Sequence, residues 1–163
     1  MADHVDEPQH ARWMNEAITL ARAGMRIHGG GPFGAVIVAD GKLVGRGWNQ
    51  VTPQLDPTAH AEVTAIRDAC RALQRFELRG CVLYTSCEPC PMCFGAAWWA
   101  RVDRIVFAAD RDDAAAAGFD DAAIHADVAT PPAERVLLTQ HLDVPEWTEP
   151  FAVWQANPTR TPY

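Results

Sequence analysis

His60, Cys90 and Cys93 constrain this chain more than any other residues it carries. Cys90 and Cys93 have the i, i+3 spacing that, in the first turn of a helix, puts two sulfurs on one face, about 5–6 Å apart at Cβ. His60 is a third donor of matching softness. Two thiolates and one imidazole leave zinc a single position to fill, which a catalytic site gives to water. A fold that uses all three must bring His60-Ala61-Glu62 against the segment Thr85 to Cys93. Glu62 is then the carboxylate that stands beside that water.

The rest of the chain supplies elements able to do this. Trp13, Met14, Ala17, Ile18, Leu20, Ala21 and Met25 recur at helical spacing, so an amphipathic helix is predicted from Pro8 to about Arg26. His28-Gly29-Gly30-Gly31-Pro32 ends it in a close-approach turn; no Lys-Ser/Thr follows and a strand comes next, so it is not read as a phosphate cradle. Phe33 to Ala39 and Lys42 to Trp48 flank Asp40-Gly41 and predict a hairpin. Asn49 to Thr58, with Pro53 and Pro57, is a loop, and a helix from near Thr58 or Ala59 to about Arg75 puts His60 and Glu62 in its first turn. Cys81 to Ser86 is a strand. Pro89 and Pro91 bracket the start of a helix that carries Cys90 and Cys93 and ends near Arg101. Asp103 to Ala109 is a further strand. The order α-β-β-α-β-α-β requires crossovers, hence a layered α/β fold. Asp112 to Asp127 is rich in Ala and Asp and broken at Gly118-Phe119, Val136 to Leu142 reads as a strand or a short helix, and Trp147 to Ala156 as a last helix interrupted by Pro150. A polar tail, Asn157 to Tyr163, ends the chain.

At 163 residues, 48% of them hydrophobic, a single domain spanning 1–163 is expected. The N-terminus has no basic region followed by an apolar run, and nowhere do ~18 apolar residues stand together, so neither a secretion signal nor a membrane span is expected and the protein is placed in the cytoplasm. Five cysteines, three of them within Cys87 to Cys93, fit metal chemistry in a reducing compartment better than a disulfide framework, with Cys70 and Cys81 as core residues. A formal net charge of -7 argues against a broad nucleic-acid surface and suits a small neutral substrate. Arg101, Arg104 and Arg111 read as solvated helix-end and loop charges.

A His-x-Glu followed by Pro-Cys-x-x-Cys is the known signature of zinc-dependent nucleobase deaminases. Under that resemblance both ligand segments open helices, whose free N–H groups and positive ends point at one metal. Two thiolates make a zinc water less acidic than three imidazoles would, which gives Glu62 its work: it takes a proton from that water, the hydroxide attacks an amidine-like ring carbon, and the carboxyl returns protons to a ring nitrogen and to departing ammonia. The competing reading is a closed structural site with Cys87 as fourth ligand, in which Glu62 is only a carboxylate favoured at a helix N-terminus.

The chain resembles the cytidine deaminase superfamily and, within it, the bacterial guanine deaminases. The similar segments are Gly30 to Val38, Asp56 to Arg67, Leu83 to Cys93, and Ala117-Gly118-Phe119-Asp120-Asp121 with the terminal Tyr163. The resemblance implies a three-layer α/β/α sandwich around a mixed sheet of about five strands. It implies zinc on His60, Cys90 and Cys93, Glu62 as proton shuttle, and hydrolysis of guanine to xanthine and ammonia. It further implies that Asn49 and the Ala61 backbone hydrogen-bond the purine, that Phe33 helps enclose it, and that Asp121 meets its amino and ring N–H edge, a pair of donors that adenine and cytosine lack. Related guanine deaminases are swapped homodimers, so residues 154–163, ending in Tyr163, would close the partner's active site. A cytosine or tRNA adenosine deaminase and, from another class, a non-catalytic zinc-stabilised binding module are the alternatives.

Overall fold

Helix α1 (Glu7–His28) opens the computed structural model, which describes residues 7–163. It buries Trp13, Ala17, Ala21 and Gly24, one stripe of its helical pattern. Strands β1 (Gly34–Ala39) and β2 (Lys42–Trp48) follow as a hairpin. Asp40 and Gly41 between them both take positive φ, 48° and 68°, as a two-residue turn matched to strand twist requires. A single helical turn, α2 (Val51–Gln54), lies within the expected loop. Then come α3 (Ala61–Leu73), β3 (Cys81–Cys87), α4 (Pro91–Trp99) and β4 (Arg104–Ala109), and the short helices α5 (Arg111–Ala116), α6 (Ala122–Ala129) and α7 (Glu149–Ala156).

The strands form one mixed sheet in the order β2-β1-β3-β4. β1 is antiparallel to β2 and β3, whereas β3 and β4 are parallel and joined through α4, the connection a parallel pair needs. Side chains alternate between two cores. Val36, Val38 and Tyr84 meet Trp13 of α1, while Ala35, Ile37, Cys81 and Leu83 meet Ala61, Ala65 and Ala69 of α3. Helices therefore cover both faces. The α3 side is unusually close because β2 presents glycines to it: a Cβ on Gly47 would stand 2.1 Å from the Ala61 carbonyl oxygen, and one on Gly45 2.6 Å from that of Ala65. Backbone against backbone, the start of α3 is held to the sheet with little play.

Three expectations are corrected. The sheet has four strands among the described residues, not five, and the segment 136–142 is neither strand nor helix. Two of its N–H groups have another partner: Val136 and Leu137 both donate to the Asp127 carboxylate, at 2.6 and 3.1 Å, so those two are not offered to a ladder. Pro150 lies in the first turn of α7, where a missing N–H costs nothing, so it starts that helix and does not interrupt it. The chain divides into two units, the first ending at His125 and the second running from Ala126 to Tyr163. Residues 1–6, read above for a secretion signal, lie outside the described residues. No described helix is long and apolar enough to cross a membrane.

Candidate active site

Helices α3 and α4 begin immediately after a ligand candidate. His60 (φ −67°, ψ 158°) and Cys90 (φ −63°, ψ 166°) are extended N-cap residues, and neither side chain caps its own helix. This corrects the expectation that His60 lies within a first turn and that both cysteines share one. Pro91 opens α4, so Cys90 stands just outside it and Cys93 is its third residue. An N-cap side chain sits beside the third helical position, so the i, i+3 proximity survives.

The two thiols and the imidazole meet. His60 Nδ1 is 3.6 Å from Cys90 Sγ and 3.5 Å from Cys93 Sγ, and the three donor atoms lie within 4.8 Å of one another. Tetrahedral zinc with its usual bond lengths separates a ligating sulfur from a ligating nitrogen by about 3.6 Å. The donor set and spacing fit the ion. Cys87 is absent from this group; its thiol donates to the Asp110 carbonyl at 3.6 Å. Among the described residues the closed four-ligand reading therefore lacks its fourth ligand.

Electrostatics mark the same cluster. Hydrogen bonding from Cys93, helped by His60, pulls the Cys90 thiol down to about 4 against the opposing effect of burial. The same bond to Cys90, with burial, pushes Cys93 far above an ordinary thiol. A metal bound here must displace the proton of the raised Cys93 thiol. His60 is raised chiefly by its contact with Cys90. Glu62, only 5% exposed, is raised by burial. Cys87 is pushed up to about 11, mainly by burial.

The Glu62 carboxylate has two different sides. Oε1 accepts a hydrogen bond from the Thr85 hydroxyl at 3.2 Å, and Oε2 lies 3.4 Å from Cys93 Sγ, facing the ligand cluster. A cavity of about 550 Å³ opens onto His60, Glu62 and Cys90. Phe33, Asn49 and Asp121 line it too, so most of the predicted residues are gathered around one space. Phe33 meets Phe119 edge to face, with ring centroids 4.9 Å apart. Asn49 is buried, and its Oδ1 accepts from the Gly31 and Val51 N–H groups at 3.1 and 3.3 Å, which leaves the amide nitrogen to donate elsewhere. The close-approach turn is real: a Cβ on Gly30 would stand 1.8 Å from the Asn49 carbonyl oxygen. Asp121 Oδ2 is 3.3 Å from His125 Nε2. Ala61 is buried as the first residue of α3, where a backbone N–H has no acceptor within its helix. Tyr163 belongs to the second unit, where its ring meets that of Trp154 at 6.3 Å.

Sequence reasoning missed Thr85, Glu88 and Arg111 as parts of this site. Only Thr85 carried a signal: it is a hydroxyl at an inward position of a strand that otherwise sends Cys81 and Leu83 to that face.

The model of the cytidine and deoxycytidylate deaminase zinc-binding region matches residues 7–109. The chain is 49% identical to a guanine deaminase from Bacillus subtilis over 90% of its own length and 94% of that protein's. The X-ray structure of a Bacillus subtilis guanine deaminase superposes with a TM-score of 0.92 at 47% identity, covering 94% of this chain and 98% of that one. A guanine deaminase from Nitrosomonas europaea matches with a TM-score of 0.64 at 39% identity, over 68% of this chain and 64% of that one. A tRNA-specific adenosine deaminase from Buchnera aphidicola is 41% identical over 62% of this chain and 66% of its own length. Since the matched region takes in His60, Glu62, Cys90 and Cys93, the motif and the geometry agree with the comparison: the chain belongs to the family of the cytidine and deoxycytidylate deaminase zinc-binding region.

Proposed function

We propose that this protein is a zinc-dependent hydrolase that deaminates guanine to xanthine and ammonia. The observation that carries the reading is one cavity bounded on one side by His60, Cys90 and Glu62, with Cys93 grouped behind them, and on another by Asp121. His60, Cys90 and Cys93 would hold the ion. Zinc, when bound, supplies a Lewis acid that makes a water acidic enough to act as a nucleophile near neutral pH.

In this reading Phe33 and Phe119 enclose the flat purine, and the amide nitrogen of Asn49 and the Ala61 N–H donate to its acceptors. Asp121 accepts from the N–H edge, a pair of donors on guanine that cytosine and adenine do not present. Glu62 removes one proton of the attacking water through Oε2 and delivers it to the ring nitrogen beside the attacked carbon; the remaining hydroxyl proton then passes through the same carboxylate to the amino group as its C–N bond breaks. Burial suits this task, because a carboxyl whose charged form is disfavoured keeps a proton longer than an exposed one would. Oxygen joins the ring carbon, ammonia leaves, and the carboxylate is regenerated.

The tail is read as part of a partner's site. No residue from 126 to 163 is buried, and Leu138, Trp147, Phe151 and Val153 are all exposed. That much apolar surface on a short segment marks a docking face. Chain 1–163 then works as one deaminase domain in a homodimer, with 154–163 and Tyr163 closing the other copy's cavity. Cytoplasmic placement fits five unpaired thiols. The test is ammonia release from guanine, cytosine, adenine and a tRNA anticodon stem-loop. Guanine alone should react; preference for the stem-loop, with steep salt dependence, would favour the tRNA adenosine reading instead.

A further inference from the structure

Glu62 is effective only if its carboxylate is held with one oxygen toward the reacting atoms, and one side chain is built to hold it. We propose that Thr85 is a positioning residue for the proton shuttle: its hydroxyl fixes Oε1 of Glu62, so that Oε2 faces the metal ligands and carries the proton. This rests on the deaminase reading above and adds a residue to it.

Thr85 sits on β3, paired with Ala35 on one side and Phe107 on the other, so its backbone is fixed from both directions. It is fully buried, and the neighbouring inward positions of the same strand, Leu83 and Cys81, are apolar core residues. A hydroxyl on such a face is unfavourable unless it finds a partner, and a valine would fill the same volume without that penalty. The partner it has is Glu62 Oε1, at 3.2 Å. A carboxylate on a free rotor would present either oxygen to the ligands. With Oε1 held by the Thr85 hydroxyl the carboxylate's orientation is set, and Oε2 is the oxygen turned to the ligand cluster, where it accepts from the Cys93 thiol at 3.4 Å, a donor that is lost when that sulfur binds a metal as thiolate. Thr85 is neither a ligand candidate nor a cavity-lining residue, and its hydroxyl reaches the site through its hydrogen bond to Glu62.

The test is Thr85→Val beside Thr85→Ser, each loaded with zinc. Losing a hydrogen bond to a charged group should lower kcat for guanine about 10- to 100-fold in Thr85→Val, while KM and zinc content stay at the parent values. Thr85→Ser, which keeps the hydroxyl, should recover most of the rate. A parallel measurement uses no substrate and no metal: Thr85→Val should lower the Tm of the metal-free protein, and should leave it unchanged or raise it when Glu62 is already alanine, because the hydroxyl then has lost its partner. Should Thr85→Val not fold, Thr85→Ala takes its place. An unchanged kcat in Thr85→Val, no recovery in Thr85→Ser, or an equal Tm shift with and without Glu62 would each overturn the proposal. If the parent protein does not release ammonia from guanine, the substrate reading fails, and the Tm comparison still decides whether Thr85 and Glu62 are coupled.

Discussion

Glu62 carries two opposing demands in one side chain. Burial raises its pKa, so the folded state binds its proton more tightly than the unfolded state does. Stability from this group is fully present below the ordinary glutamate value and is lost as pH rises through the raised one. Metal-free Glu62→Gln should therefore have a higher Tm than the parent at neutral pH, with the difference closing as the pH falls below about 4. Calorimetry across that range reads it; a mutant less stable at neutral pH would contradict it. Asp121 makes a different prediction. Asp121→Asn replaces half of a double acceptor by a donor, and should raise KM for guanine about tenfold or more while zinc content is unchanged. His125, 3.3 Å from Asp121, holds that carboxylate from outside the cavity.

At the scale of elements, two helix starts and a glycine-lined strand build the site. The hairpin at Asp40-Gly41, the alternation of strands and helices, and the ligand spacing were legible in the sequence, because each rests on contacts close along the chain. The helix boundaries were not: His60 and Cys90 cap helices, whereas propensity alone places them inside. Nor was the fate of residues 136–142, since Val-Leu-Leu looks like a strand until the Asp127 carboxylate takes the N–H groups of Val136 and Leu137. Thr85 was hidden for a similar reason, as nothing local says that its hydroxyl meets a residue from α3. Gly47→Ala should push α3 off the sheet, costing about 1–3 kcal/mol in stability and lowering zinc retention with it. The raised Cys93 thiol in the first turn of α4 gives a second test. Zinc loading of the metal-free protein at neutral pH should release protons, because the Cys93 thiol, held well above an ordinary thiol, must ionise to bind the metal. Proton release measured in a weakly buffered solution checks it, and no release would contradict a thiolate-bound metal.

Across the whole molecule, the second unit is the part that a single chain leaves without a core. If the segment 154–163 closes a partner's cavity, its deletion should raise KM or lower kcat while zinc stays bound. Mixing that deletion variant with full-length Glu62→Gln should restore activity, since one copy supplies the shuttle and the other the tail. No restoration, with mixed dimers present, would place the tail on its own chain's site. The central claim is narrower than any of these: an open three-ligand zinc centre in which Glu62 moves the proton that guanine deamination requires. The most direct measurement is xanthine and ammonia formation from guanine by the zinc-loaded protein, beside Glu62→Gln with its zinc content determined. The expected result is equal amounts of both products from the parent, and a loss of at least about a hundredfold in the mutant with its zinc retained. Turnover undiminished in a zinc-loaded Glu62→Gln would contradict it.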